Sequence, residues 1–374
     1  MLLRGLFDMV NKTGFAIGTI PSFSIIALAV GLMNHVMVIP SLLQEAKRDA
    51  WLSVLAMILP YIIWTLILYY IMKKTKQQPI VTWLQGNYGT VISVAFRFFF
   101  IAYLFLIIVL TVKETTTWTH ASYLPKTPQL VLSVSLILLC CYAVHFGLRT
   151  IAITAGILLP FVVVFGDFVM SSNLPKKNYA LLTPIMEHGV EPVLKGCMYV
   201  GGGLAEFIII LLFHHRMKSN VRPWSLCLLA IFLIILVLGP VTGAIAEFGP
   251  FEASKLRYPA YEEWRLVQVG NYIRHVDFLS IYQWLSGAFV RVSISLLLLI
   301  DLLPASHNKN FRLVWLTLLG IIIVVVVELP VSDMQYASFL KQVYLPLSLG
   351  LVVGVSLLLF IAVLVKNRTG VRHK

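Results

Sequence analysis

Apolar residues along this chain come in long unbroken blocks. They do not form the spaced stripe of a helix with one wet face, nor the alternation of a half-buried strand. Leu130–Val144 and Trp315–Val327 contain no charged residue, so helices over them are apolar all round, as contact with lipid requires. A helix that crosses a membrane takes about 20 such residues. On that length the blocks divide into about ten spans, with approximate limits 23–45, 49–72, 89–112, 129–146, 149–170, 192–214, 224–246, 275–302, 312–330 and 343–365. Hydrophilic punctuation separates them: Lys73-Lys74-Thr75-Lys76 after the second, His214-His215-Arg216 through Arg222-Pro223 after the sixth, and Ser306-His307-Asn308-Lys309 after the eighth. The pattern predicts an all-α integral membrane protein, a single polytopic domain over residues 1–374, with both termini on one side.

Composition strengthens that reading. Hydrophobic residues make up 59% and charged residues 12% of the chain, against about 25% charged in a soluble protein. The formal charge of +13 is spread between the apolar blocks and not gathered on one face, so no nucleic-acid partner is expected. Lysine and arginine do set orientation, since they favour the cytoplasmic side. With the termini inside, cytoplasmic segments hold 15 of them, among them Arg4, Lys12, Arg372 and Lys374, and the opposite segments hold 12. Much of the opposite count comes from the loop 248–274, which also carries Glu252, Glu262 and Glu263. The first stretch carries Asp8 beside its basic residues and only short apolar runs, so no cleavable signal peptide is expected. Cys140, Cys141, Cys197 and Cys227 fall inside spans and read as small packing residues, not as a disulfide framework or metal site.

Two interruptions stand out. The first span reads Ala29-Val30-Gly31-Leu32-Met33-Asn34-His35, with Pro40 following; the sixth reads Tyr199-Val200-Gly201-Gly202-Gly203-Leu204-Ala205-Glu206. Three consecutive glycines cost about 3 kcal/mol of helix propensity against alanines, a penalty a span can carry where its backbone opens. Breaks five spans apart, in corresponding places of two halves, are the sequence signature of an inverted-repeat transporter and its binding site. For Gly31 alone, close helix packing is the simpler role. For Gly201–Gly203, with Glu206 one turn on, the expectation is an unwound, ligand-facing segment.

Arg97, Asp167, Glu206, Arg291 and Glu328 fall within or near spans. Each costs about 2.5–3.5 kcal/mol at a helix centre, so the deep ones are expected to face the bundle interior. Asp167 and Glu328 lie near span ends and suit the interface. Glu206 and Arg97 are candidates for function or for a structural ion pair. In the eighth span Trp284, Gly287, Arg291 and Ser295 share one face, a stripe that admits a neighbouring helix and obliges Arg291 to find a carboxylate or carbonyls. His214-His215 beside Arg216 suggests a solvated helix end. No nucleotide-binding loop, nucleophile elbow or metal-spaced cluster is present, so neither an enzyme, a cofactor nor a metal is expected.

Four segments have a pattern of their own: Val38-Ile39-Pro40 through Ala46-Lys47-Arg48-Asp49-Ala50-Trp51-Leu52, Tyr179-Ala180-Leu181-Leu182-Thr183-Pro184 into Gly189-Val190-Glu191-Pro192-Val193, Gly203–Glu206, and Arg274-His275-Val276-Asp277-Phe278 with Trp284 and Arg291. They resemble the B subunits of spore germinant receptors, the GerA-type endospore germination permeases. The resemblance covers essentially the whole chain. It implies the amino acid–polyamine–organocation superfamily and a leucine-transporter-type 5+5 inverted repeat with broken helices 1 and 6. The repeats would run over about 20–172 and 190–366. Phe207–His215 departs from the family in lacking a proline near the end of the sixth helix, and Ile151–Met170 lacks the lysine of some proton-coupled members.

The resemblance further implies a germinant-sensing subunit that binds a small nutrient such as an amino acid, with A and C subunits as partners, in the spore inner membrane. The alternatives are a secondary amino-acid transporter and a ligand-gated ion or water conduit. The implied ligand residues are Val30, Gly31, Leu32 and Asn34 in the first helix and Gly201, Gly202, Gly203 and Glu206 in the sixth. A carboxylate would suit the glycine N–H groups, and an ammonium the first-helix carbonyls or Glu206.

Overall fold

The computed structural model describes residues 16–218, 221–268, 275–304 and 308–371. Arg4, Asp8, Lys12, Arg274, Ser306, His307, Arg372 and Lys374 lie outside the described residues. Among those described, nine continuous helical stretches are long and apolar enough to cross a membrane. The first, Thr19–Lys74, has 56 residues, about 84 Å of helix against a hydrocarbon core of about 30 Å. It doubles back at Lys47, where φ is +47°.

Its contacts with the sixth span prove the hairpin. Ile17 bridges to Met217 at one end of that span, Leu42 and Ser53 both crowd Gly196 toward the other end, and Thr75 returns to His214. The described residues therefore make ten crossings. His214 is buried between Thr75 Oγ1 and the Leu211 carbonyl, so the helix end expected to be solvated at this histidine is packed instead.

Span limits shift where charges find partners. The third span was expected to end at 112, yet Thr90–Ser122 is one helix. Lys113 Nζ donates to the carbonyls of Val327 (2.9 Å) and Leu329 (3.3 Å), and Glu114 pairs with Arg257 at 2.8 Å. Neither charge then has to end the helix. The tenth span begins early, at Asp333, because Ser332 and Gln335 form a reciprocal capping box. The connection between the seventh and eighth spans carries the helix Pro259–Leu266, preceded by the single turn Pro250–Ala253. The sixth and eighth spans, buried over 89% and 83% of their most apolar windows, form the centre of the bundle together with the first, in which every residue from Ser24 to Asn34 is buried.

The two expected helix breaks are changes of pitch. In the first span α-helix Thr19–Leu32 passes into a π-helical stretch, Met33–Val38, and then into Ile39–Ala46. In the sixth, Val190–Leu204 passes into 3₁₀-helix at Ala205–Ile209. The unwinding expected at Gly201–Gly203 does not occur, because those three residues are α-helical and the irregular turn follows them. Their role is close approach. A Cβ on Gly202 would run into the Leu345 carbonyl of the tenth span, one on Gly203 into Val38 and Asn34 of the first, and one on Gly201 would sit 3.0 Å from Leu349.

Gly202→Ala improves helix propensity, so any loss must come from packing. We expect it to lower stability by about 1–3 kcal/mol, read as the unfolding midpoint in mixed micelles. Gly354→Ala, where a Cβ meets open space, should be neutral or slightly stabilising. Equal behaviour of the two variants would remove the packing explanation.

Candidate functional site

Half-way along the eighth span, Arg291 lies 1% exposed and donates from Nη2 to Glu206 Oε1 at 2.5 Å. The hydroxyl of Tyr344 donates to the same oxygen at 2.7 Å. Met33 and Met37 present their sulfurs to the guanidinium at 3.5 and 3.4 Å. Each partner sits in one of the irregular turns: Met33 and Met37 in the π-stretch of the first span, Glu206 in the 3₁₀ turn of the sixth, and Tyr344 in the π-stretch Leu340–Tyr344 of the tenth. A second chain of bonds lies close by. Tyr103 and Ser348 hydroxyls meet at 2.9 Å, and Ser348 donates to the Gly202 carbonyl at 3.1 Å. The carboxylate required by Arg291 is thus Glu206. Arg97 stays outside this network, half-exposed near the start of the third span.

The open space lies on the other flank of the first span. A cavity of about 270 Å³ is lined by the first, fifth, seventh and eighth spans and by the connection helix Pro259–Leu266. Gly31, Leu32, His35 and Val36 form its first-span wall. Of the expected ligand residues only Gly31 and Leu32 line it. Val30, Asn34, Gly201, Gly202, Gly203 and Glu206 are buried in packing between the first, sixth and tenth spans. Asn34 donates to the Val30 carbonyl at 2.8 Å, which fixes its side chain within its own helix.

Polar groups of the cavity wall are held in place. Trp264 Nε1 donates to Gln283 Oε1 at 2.8 Å, and Gln283 Nε2 donates to the Val162 carbonyl at 2.8 Å. Trp284 donates to Thr115 at 3.2 Å and stacks on Trp118 with centroids 4.0 Å apart. His35 Nδ1 meets the Leu236 carbonyl at 3.1 Å, joining the first span to the seventh. Arg257, paired with Glu114 and Asp333, holds the connection down on the bundle. Asp167 is exposed at the cavity's edge.

Glu263 is different. It is 3% exposed, and its Oε1 has no hydrogen-bond partner. The nearby ammonium of Lys177 lies 3.4 Å from Glu247. Burial, and next the charge of Glu247, hold the Glu263 carboxyl well above the usual carboxylate range. Sequence reasoning read Glu263 as a loop charge. The missed signal was the aromatic density around it, Tyr258, Tyr261 and Trp264, in a segment nominally a loop.

Comparison with known proteins follows the same lines. The family of spore germination proteins, the spore permeases, matches residues 17–334. The chain is 42% identical over 91% of its length, and 96% of the relative's, to spore germination protein XB of Bacillus anthracis. It is 22% identical to spore germination protein KB of Bacillus subtilis, over 67% of this chain and 69% of that one. Among solved structures it is similar to MhsT in complex with L-phenylalanine, with a TM-score of 0.60, 14% identity, and coverage of 88% of this chain and 87% of that one. At that identity the likeness concerns the fold, which is the leucine-transporter-type inverted repeat.

Two outcomes test the electrostatics. Glu206→Gln or Arg291→Met alone strands a buried partner and should cost about 3–5 kcal/mol. The double variant should cost far less than the sum, as a double-mutant cycle in mixed micelles will read. The second concerns pH. A carboxyl raised in the folded state keeps its proton where the unfolded chain has lost it, so its contribution to stability falls as pH rises above 4.5. Glu263→Gln removes that dependence, and its melting temperature should gain on the wild type as pH rises above 4.5.

Proposed function

The chain belongs to the spore germination protein family, and on that premise we propose that it is the germinant-sensing membrane subunit of a spore germination receptor. It binds a small nutrient such as an amino acid in a permease-type cavity and does no chemistry on it. The observation that carries this reading is the largely apolar cavity of about 270 Å³ against the π-helical stretch of the first span. Departures from α-helical pitch inside a helix frequently mark hinges and functional sites, and a ligand that binds one conformation of such a turn better biases it toward that form.

We assign both termini to the cytoplasm and the connection between the seventh and eighth spans to the outer side. The tight cluster Lys73, Lys74 and Lys76 at the end of the second span supports this. The spore inner membrane is the expected location. A signal must leave the bilayer, so A and C subunits of the receptor are the expected partners.

The fold shared with MhsT keeps a transporter reading in view. Against turnover stands the Arg291–Glu206 pair. Rocking that parts the eighth span from the sixth must separate a buried ion pair, which is costly.

The test uses Gly166, whose added Cβ would meet only Gln283 Nε2 at 3.6 Å. Gly166→Leu therefore fills the cavity with little strain at its base. We expect the germinant dose–response of spores carrying it to shift by about tenfold or more at unchanged membrane abundance. Proteoliposomes of the wild type should bind the germinant saturably without accumulating it. An unshifted response would refute the cavity as the site, and saturable uptake would favour the transporter.

A further inference from the structure

We propose that the cavity selects primary amines with an apolar body, and that Glu263 receives their cationic end. This rests on the cavity being the germinant site and adds the chemistry of its ligand. No lysine or arginine lines the cavity among the described residues; its acidic groups are Glu263 and, at the edge, Asp167. Anions are therefore poorly served.

Five other polar side chains of the wall are engaged: Gln283 at both ends, Trp264 and Trp284 through their N–H groups, Ser280 with Tyr123, and His35 with a carbonyl. Among the described residues, Glu263 Oε1 is the one buried wall oxygen without a hydrogen-bond partner. It belongs to a side chain 3% exposed. Two carboxyl groups share this corner with one ammonium, Lys177, which lies 3.4 Å from Glu247. Glu263 keeps its proton in the empty cavity, and an arriving ammonium takes that proton's place.

The geometry that brings the carboxyl there is specific. Gly243 of the seventh span has no Cβ, and one built there would sit 2.6 Å from Glu263 Oε2. Asn173 donates to the Glu263 carbonyl at 2.7 Å and anchors its helix to the end of the fifth span. The remaining wall is Leu28, Val162, Phe232, Ile235 and Trp284, which suits a branched aliphatic or aromatic body. An ammonium on such a body completes a charge-assisted bond with a buried carboxyl. The carboxylate of an amino acid finds no cation in the wall and is predicted to be dispensable.

The experiment titrates the purified full chain and follows tryptophan fluorescence, since Trp264 and Trp284 line the site. The probes are leucine, isopentylamine and isocaproate, which share a body and differ in the charged group. Leucine and isopentylamine should bind saturably, and isocaproate at least about tenfold more weakly. Glu263→Gln should remove that discrimination, while Asp167→Asn should keep it. Melting curves identify any variant that fails to fold, and the ranking of probes on the wild type stands without one. Binding of isocaproate equal to isopentylamine would overturn the role of Glu263. If all three probes bind and Gly166→Leu abolishes binding, the cavity survives as the site and only the amine selectivity falls. If none binds, both fall.

Discussion

A guanidinium and a carboxylate in the middle of an apolar bundle can persist only if each neutralises the other and the surrounding structure fills their remaining bonding capacity. The Arg291–Glu206 pair meets that demand with groups from four spans. The eighth supplies the arginine, the sixth the glutamate, the tenth the Tyr344 hydroxyl, and the first the sulfurs of Met33 and Met37. In a regular α-helix the direction of each side chain follows from its position. The three pitch changes at Met33–Val38, Ala205–Ile209 and Leu340–Tyr344 rotate these groups onto one point. The irregular turns are thus part of the same construction as the charge pair.

That construction decides where a ligand can go. Drawing the first, sixth and tenth spans together around the pair consumes the space between them, and Gly201, Gly202 and Gly203 allow backbones to approach where any Cβ would collide. The opposite flank of the first span has no such tie. There Gly31 and His35 face the fifth and seventh spans across a cavity roofed by the connection helix. The first span therefore has two faces: one locked to the charge network, one available to a small molecule. A molecule bound on the open face touches the helix whose π-stretch contacts Arg291, which couples the cavity to the centre of the bundle through a single element.

The roof is tied down by a separate set of charges. Arg257 reaches Glu114 and Asp333, so the connection, the third span and the tenth meet at one cation. Lys177 and Glu247 join the segment after the fifth span to the end of the seventh. Glu263, next to that pair, is left with one oxygen unpartnered in the cavity wall.

The sequence by itself determined the class of protein, the number of crossings and most span limits, because lipid solvation imposes unbroken apolar length and marks it in the composition. It also determined that Arg291 needed a buried partner and that the first and sixth spans depart from regularity. Only the tertiary structure decided that the partner is Glu206, since the two are separated by 85 positions and nothing local links them. It likewise decided that Gly201–Gly203 serve contact and not unwinding: glycine permits both, and the choice depends on what lies opposite, here the Leu345 carbonyl and Val38. The cavity could not be read from the chain at all. Its wall gathers short pieces of four spans and a connection, and Glu263 looks like any loop charge until folding buries it beside Glu247 and beyond the reach of water.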